Sequence, residues 1–155
     1  MFRLAERPID ELPIRITQAV ELDAPPDEVF AVLADHEGWT SWFGGMDRVR
    51  VDGLAYGVGA LRTVSVPPAR VQERFSAWVP GERLTLHVVA SSLPGLAAMT
   101  EEWRLEPIDG ERTRLTIDIG AAPARWFPMR GLVAAAVRRG TRGATGIRGR
   151  FPLSR

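Results

Sequence analysis

The chain of 155 residues contains no cysteine, which excludes disulfide bonds, thiolate nucleophiles and thiolate metal ligands. It contains only two histidines, His36 and His87, so a histidine-based zinc site would also need carboxylate ligands. No spacing of histidines and acids suggests such a site. We therefore expect neither a bound metal nor a cofactor.

Long apolar runs are missing as well. The first residues, MFRLAERPIDELPI, contain no apolar run long enough for a signal peptide. The longest apolar stretches elsewhere fall far short of the roughly 20 residues that a membrane-spanning helix needs. Together with the lack of cysteine, this predicts a cytoplasmic protein that does not insert into a membrane.

A large net charge is also absent, since 20 basic residues face 19 acidic ones. No overall field attracts the protein to nucleic acid, so any basic function must be local. The local candidate is VRRGTRGATGIRGR, residues 137–150, which holds five arginines and a glycine at every third position. It is either a basic tail for nucleic acid or part of the fold.

What the chain does have is enough apolar material for a core. Hydrophobic residues make up 45% of the sequence, and the length fits a single domain. Residues 1–12 are polar and mixed, and we interpret them as an N-terminal arm before one domain over residues 13–155.

The patterned segments predict an α+β fold. Alternation predicts a strand over residues 14–22, and Pro26 followed by two acids predicts a helix over residues 26–35. A second short helix is expected in HEGWTSWFGG. Short alternating segments separated by proline and glycine turns are then typical of an antiparallel meander. The expected strands of this meander are 47–51, 59–66, 70–79, 83–90, 99–106 and 112–120.

The last segment has helical periodicity. On a wheel of 100° per residue starting at Met129, the apolar and small residues fall on one face, which predicts a long helix beginning after Pro128. Gly140 and Gly143 lie on this inward stripe, whereas Gly146 and the last glycine of the stretch point outward, where we expect fraying. The stripe argues against a free basic tail, so no nucleic-acid partner is predicted.

Two stretches resemble a known family. LDAPPDEVFAVLADHEGWTSWF is similar to the opening of the START-like superfamily, in its polyketide cyclase/dehydrase or SRPBCC branch. GALRTVSV and RVQERFSAWVPGERLTLHV are similar to that family's G-x-x-R, E-R and P-x-x-x-L strands. The resemblance implies a helix-grip fold, in which a curved antiparallel sheet of about six to seven strands wraps around a long C-terminal helix.

The resemblance also implies a function, because proteins of this fold hold apolar ligands between the sheet and the helix. The expected function is binding of a hydrophobic small molecule such as a lipid, a polyketide or an aromatic metabolite. The alternative is an enzyme of the polyketide cyclase, aromatase or dehydratase type. The fold does not choose between them, and we expect a monomer or a homodimer.

Glu73 is the first candidate for chemistry. It shares strand parity with Val71 and Phe75, so it points inward if that apolar face lines the cavity. A buried carboxylate needs a partner, or its pKa rises and it can donate a proton. Arg62 on the preceding strand is the natural partner, and it could instead bind a ligand carboxylate. Abscisic-acid-receptor relatives carry a pocket glutamate here, but their gate loop is replaced by the short stretch 67–69, which argues against hormone-style gating.

Two further residues are candidates for acid–base catalysis. Glu101 shares parity with Met99 and Trp103, so it is the inward member of its acidic pair and could work with Glu73. His87 has a suitable pKa for a base. Its strand parity, opposite to that of Leu84, Leu86 and Val88, argues that it faces outward, whereas the resemblance to the receptor relatives implies that it faces inward. The remaining predicted ligand contacts are Val64, Phe75, Trp103, Trp126, Phe127, Leu132, Ala136 and Gly140.

Overall fold

The structure is a computed structural model, and it describes residues 1–152. Within these residues one antiparallel sheet has eight strands, and two α-helices and three 3₁₀ helices accompany it. The strands are β1 (Phe2–Arg3), β2 (Ile14–Leu22), β3 (Arg48–Val51), β4 (Leu61–Val66), β5 (Ala69–Val79), β6 (Arg83–Ser91), β7 (Leu96–Asp109) and β8 (Arg112–Pro123). The α-helices are α1 (Pro26–Ala34) and α2 (Arg130–Thr141), and the 3₁₀ helices span Ile9–Glu11, Glu37–Ser41 and Arg142–Arg150.

The sheet is an open meander. Its order is β2-β8-β7-β6-β5-β4-β3, with β1 added beside β6. A loop over residues 52–60 joins β3 to β4, and short turns join the successive strands from β4 to β8, where the sequence places proline and glycine. Gly81, between β5 and β6, has a φ of 75°, where glycine is favoured. The predicted strands from residue 14 to residue 120 are all present; four are longer than predicted, by one to six residues, and two are shorter, by one and two residues.

The first helix follows from its sequence. Pro26 occupies its first turn with Asp27 and Glu28, and the apolar residues at helical spacing, Val29, Phe30 and Leu33, are buried. Acidic side chains near the positive end of a helix stabilise it. The predicted second helix is a single 3₁₀ segment, whose Trp39 packs into the main core.

The C-terminal helix is present but ends earlier than predicted. α2 stops at Thr141 and a 3₁₀ helix continues to Arg150. A 3₁₀ helix has about three residues per turn, so glycines at every third position share one face. A Cβ atom on Gly143 would lie 2.6 Å from the backbone nitrogen of Gly44, and one on Gly146 would overlap the carbonyl oxygen of Trp42. The expectation that Gly146 points outward is therefore wrong, because this backbone packs directly on residues 42–44.

Residues 1–12 contact the sheet in two ways: residues 2–5 extend it by hydrogen bonding along β6 and β7, and residues 9–12 pack on the face that points away from α2. The backbone nitrogens of Leu4 and Ala5 donate hydrogen bonds to the carbonyl oxygens of Val89 and Ala97. Ile9 and Leu12 are buried against Gly120, where a Cβ atom would lie 2.8 Å from Ile9 Cγ1. Residues 9–12 therefore cover part of the outer face of β7 and β8. None of the helices in residues 1–152 combines the length and hydrophobicity needed to cross a bilayer.

Candidate functional site

A cavity of about 310 Å³ lies between the inner face of the sheet and α2. Strands β4 to β7 supply one wall, α2 supplies the other, and the segment around Trp39 and Phe43 contributes a further part of the lining. Most of the lining is apolar. Its polar side chains, apart from the indole of Trp39, are Glu73, Ser91, Glu101 and Thr141.

The ion pair between Glu73 and Arg62 is built by the strand register. The two residues are direct partners across β4 and β5, so their side chains leave the same face of the sheet. Arg62 Nε lies 2.6 Å from Glu73 Oε2, and the side chains are 0% and 7% exposed. Such a buried charge requires a close partner. The sequence predicted this pairing as one of two roles for Arg62.

Arg62 lies behind Glu73 rather than in the cavity wall. Its guanidinium carbon lies 3.9 Å from the centre of the Trp39 ring and 5.2 Å from the centre of the Phe75 ring. Such cation–π contacts stabilise a desolvated guanidinium. Arg62 is not among the residues that line the cavity. Its predicted position as a direct ligand contact is therefore corrected: the structure makes it the support of Glu73.

His36 completes the support of this guanidinium, and sequence reasoning missed it. Its Nε2 atom hydrogen-bonds to the carbonyl oxygen of Ala55, and its Nδ1 atom lies 3.4 Å from Arg62 Nη1. Because a carbonyl only accepts, Nε2 carries the proton and Nδ1 accepts from Arg62. Burial, followed by the positive charge of Arg62, lowers the pKa of His36. The only signal in the sequence was a lone histidine directly after an amphipathic helix, which does not distinguish a structural histidine from a functional one.

Glu101 faces the same cavity without an ion pair. Glu73 on β5 and Glu101 on β7 flank β6, where they stand opposite Val88 and Leu86 respectively. The indole nitrogen of Trp103 donates a hydrogen bond of 2.9 Å to Glu101 Oε2. Burial, followed by the negative charge of Glu73, raises the pKa of Glu101 from 4.5 to about 7.

This arrangement defines what the site can do chemically. Glu101 can hold or release a proton near neutral pH, which suits a general acid or base. Among residues 1–152, no group donates a hydrogen bond to the Oε1 atom of Glu73 or of Glu101. Two carboxyl oxygens are thus free to meet a polar group of a molecule in the cavity.

His87 lies on the opposite face of the sheet. Its Nδ1 atom lies 2.9 Å from Thr100 Oγ1 and its Nε2 atom lies 3.0 Å from Ser76 Oγ. Thr100 in turn donates to the carbonyl oxygen of Arg7 in the N-terminal arm. The structure therefore removes His87 from the cavity, and its parity with outward-facing neighbours is the physical reason.

The other predicted contacts divide into two groups. Those that line the cavity are Val64, Phe127, Leu132, Ala136 and Gly140. Those that do not are Phe75 and Trp103, which are fully packed in the core, and Trp126, which is 65% exposed. The sequence could not separate them, since core packing and cavity lining use the same residue types on the same sheet face.

No cluster of three or more histidine and acidic side chains within residues 1–152 is arranged to hold a metal ion.

The open antiparallel sheet, the C-terminal helix and the apolar cavity between them define a helix-grip protein of the START-like class. More particularly, residues 13–146 match the family described as polyketide cyclase/dehydrase and lipid transport, and the chain belongs to it. An uncharacterised protein of Mycobacterium tuberculosis is 31% identical over 134 residues, which cover 82% of this chain and 80% of that protein.

Solved structures agree on the fold. The Zhui aromatase/cyclase from a Streptomyces species superposes with a TM-score of 0.72 at 21% identity, covering 88% of this chain and 92% of that one. A START superfamily protein from Mycobacterium smegmatis superposes with a TM-score of 0.68 at 13% identity, covering 88% of this chain and 96% of that one.

Proposed function

We propose that the protein binds a mainly apolar small molecule in the cavity between the sheet and α2. The observation that carries this proposal is a space of about 310 Å³ inside an otherwise close-packed domain. Its volume lies at the lower end of the roughly 300–1,000 Å³ that is typical of small-molecule sites. The family also includes lipid transport in its description, which supports the same function.

Gly140 offers a direct test, because it lines the cavity and a Cβ atom there would meet nothing within 4 Å. Gly140→Leu should fill part of the space. We expect it to weaken binding of the neutral apolar probe N-phenyl-1-naphthylamine at least tenfold in a fluorescence titration.

Gly131 provides the matched control. It lies on the same helix, its Cβ position is equally open, and it does not line the cavity. Gly131→Leu should bind the probe as the original protein does, while both substitutions gain about 1 kcal/mol of helix propensity. Equal probe affinity in the two variants would mean that the cavity is not the binding site.

The pKa of Glu101 near neutrality favours a second candidate function, an enzyme that eliminates water from a β-hydroxyketone. One carboxylate would remove the proton next to the carbonyl, and a protonated carboxyl would protonate the departing hydroxyl. A C–H and a C–O bond break, a C=C bond forms, and water leaves. Glu73 and Glu101 flank the same strand, which suits such a division of roles.

An aryl β-hydroxyketone is a suitable probe, because its enone product absorbs in the ultraviolet. If the second candidate is right, Glu101→Gln should lower the rate at least a hundredfold while N-phenyl-1-naphthylamine still binds. A rate equal to that in buffer, or one unchanged in Glu101→Gln, would leave only the binding function.

A further inference from the structure

The hydrogen-bonding groups that face the cavity are mainly acceptors. The indole N–H of Trp39 donates to the carbonyl oxygen of Leu33 at 2.9 Å, and the hydroxyl of Thr141 donates to the carbonyl oxygen of Val137 at 2.8 Å. Both donors are thus already used within the protein. The hydroxyl of Ser91, which accepts from the backbone nitrogen of Leu93, keeps a hydrogen to donate.

The acceptors that remain are carboxyl oxygens. Glu73 and Glu101 are 6% and 7% exposed, and each uses only its Oε2 atom within the described chain. Arg62, the nearby cation, packs against the Trp39 ring and pairs with Glu73 and His36. Its Nη2 atom has no partner within residues 1–152, but it is buried and Arg62 does not line the cavity. A ligand in the cavity therefore meets carboxyl oxygens before it meets a positive charge.

Charge gives the same preference. Within residues 1–152, the charged groups that act on Glu101 are Glu73 on β5 and Arg62 on β4, and His36 lies behind Arg62. The residues that α2 contributes to the lining carry no charge. When both carboxyls are ionised, one guanidinium faces two negative charges, and a ligand carboxylate would add a third in a site of low dielectric constant.

We propose that the cavity selects an apolar molecule that carries a hydrogen-bond donor, an amine or a hydroxyl, beside Glu73 and Glu101, and that it discriminates against carboxylates. This inference rests on the proposed binding function and adds the chemical class of the ligand. A donor satisfies the free Oε1 atoms, and a positive charge also balances the excess negative charge.

The test uses three probes of equal chain length: decylamine, decanol and decanoate. Each is titrated against the protein loaded with N-phenyl-1-naphthylamine at pH 8, where Glu101 is mostly ionised. We expect decylamine to displace the probe at a concentration at least tenfold lower than decanoate, with decanol between them. At pH 5.5 Glu101 is protonated and can donate, so the difference should shrink.

Glu101→Gln keeps the shape of the side chain and removes its charge. In this variant the preference for decylamine over decanoate should fall at least threefold at pH 8 and lose most of its pH dependence. Equal displacement by decylamine and decanoate in the original protein would overturn the ligand class alone. If none of the three, nor N-phenyl-1-naphthylamine, binds, the proposed function fails as well.

A different observation concerns the rim of the cavity. Residues 121–152 contain seven arginines and no acidic residue, although the whole chain is nearly neutral. Arg125 and Arg130 are exposed at the start of this segment. Between them lie Trp126 and Met129, which are 65% and 52% exposed. Leu132, next along the helix, is 56% exposed and lines the cavity.

From this we infer that the rim docks on an anionic bilayer surface. Arginines complement acidic headgroups, and an exposed tryptophan suits the boundary between headgroups and acyl chains. Continuity with an apolar cavity favours a bilayer over an acidic protein or nucleic acid, because a membrane can supply or receive an apolar ligand at that opening.

Vesicle sedimentation tests this docking. The protein should bind phosphatidylcholine vesicles with 30% phosphatidylserine at least tenfold more tightly than phosphatidylcholine alone, and less tightly as salt rises. The double variant Trp126→Ser, Met129→Ser should lose most of this binding. The control Leu54→Ser, Val58→Ser removes two equally exposed apolar residues from a loop that does not line the cavity and should bind normally.

Charge is tested in the same way. Replacing Arg125 and Arg130 by glutamine should weaken binding, whereas replacing Arg15 and Arg83, which are exposed on strands, should not. Failure to bind the acidic vesicles, or equal binding by both double variants, would overturn the inference. Salt-sensitive binding to RNA or to an acidic protein that is unaffected by Trp126→Ser would also overturn it.

Discussion

Glu73 and Glu101 are the same residue type, almost equally buried, and face the same cavity. They differ in what stands behind them. Glu73 has a guanidinium at 2.6 Å, whereas Glu101 has a neutral indole N–H at 2.9 Å. The pKa of Glu101 rises to about 7, because burial and the charge of Glu73 outweigh that single hydrogen bond.

The comparison shows that burial alone does not assign a role to a carboxyl group. One cation serves two acids, and the cross-strand register decides which acid receives it: Arg62 stands directly opposite Glu73. Glu101 lies two strands further along and has no cation of its own, so the negative charge of Glu73 raises its pKa. Glu73 is thus an ion-paired carboxylate and Glu101 a carboxyl that can hold a proton. Acid–base chemistry and ligand selection both need two groups that differ in this way.

The largest expected effect comes from removing the cation. Arg62→Met keeps an apolar stem between Trp39 and Phe75 but leaves Glu73 buried without a partner. We expect the free energy of unfolding to fall by about 3–5 kcal/mol, measured by urea denaturation.

Two controls sharpen this result. Arg62→Met combined with Glu73→Gln removes both charges and should recover much of the loss. Arg50→Met removes another arginine whose Nε–carboxylate distance to Asp52 is also 2.6 Å, but Arg50 is 72% exposed. That substitution should cost less than about 1 kcal/mol. If Arg62→Met and Arg50→Met lower the free energy of unfolding equally, burial does not increase the contribution of the Arg62–Glu73 pair to stability.

The second effect is a pH dependence that belongs to Glu101. The unfolded chain loses the Glu101 proton near pH 4.5, whereas the folded protein keeps it until about pH 7. The folded state therefore binds more protons in this window, so the free energy of unfolding should fall as pH rises through it, by on the order of 3 kcal/mol.

Glu101→Gln isolates this contribution. His36, whose pKa is lowered in the fold, acts in the opposite direction, because its stability contribution grows as pH rises. His36 contributes equally to the original protein and to Glu101→Gln, so its contribution drops out when their free energies of unfolding are subtracted. The remaining difference should still change between pH 4.5 and pH 7. If the difference in free energy of unfolding does not change with pH, Glu101 is not the group that holds the proton in this window.

The sequence predicted much of this site from strand parity. Alternation of apolar residues placed Glu73 and Glu101 on the inner face, and adjacency of two strands suggested Arg62 as a partner. It could not show that His36 joins them, since that contact depends on how the segment after α1 crosses the sheet. The sequence also could not exclude Phe75 or Trp103 from the cavity lining, because core residues and lining residues lie on the same face of the sheet and are of the same types.

The C-terminal segment shows a different limit. Glycines at every third position were visible in the sequence, yet the apolar stripe fits both an α-helix and a 3₁₀ helix over so few turns. The choice is tied to the contact of Gly143 and Gly146 with residues 42–44, about 100 positions earlier in the chain. Local periodicity does not contain that information.

The smallest expected effect concerns the indole that supports Glu101. Trp103→Phe removes the hydrogen bond to Glu101 Oε2, which holds the pKa of Glu101 below the value that burial alone would give. The pKa of Glu101 should therefore rise further, followed through the ¹³C chemical shift of its carboxyl carbon during a pH titration. Trp42→Phe is the matched control: Trp42 is also buried, its ring centre lies 6.2 Å from that of Trp103, and within residues 1–152 its indole nitrogen has no hydrogen-bond partner. It should leave the Glu101 titration where it is. If both variants shift the titration equally, the aromatic packing rather than the Trp103 hydrogen bond sets the protonation of Glu101, and the difference between the two carboxyls would rest on Arg62 alone.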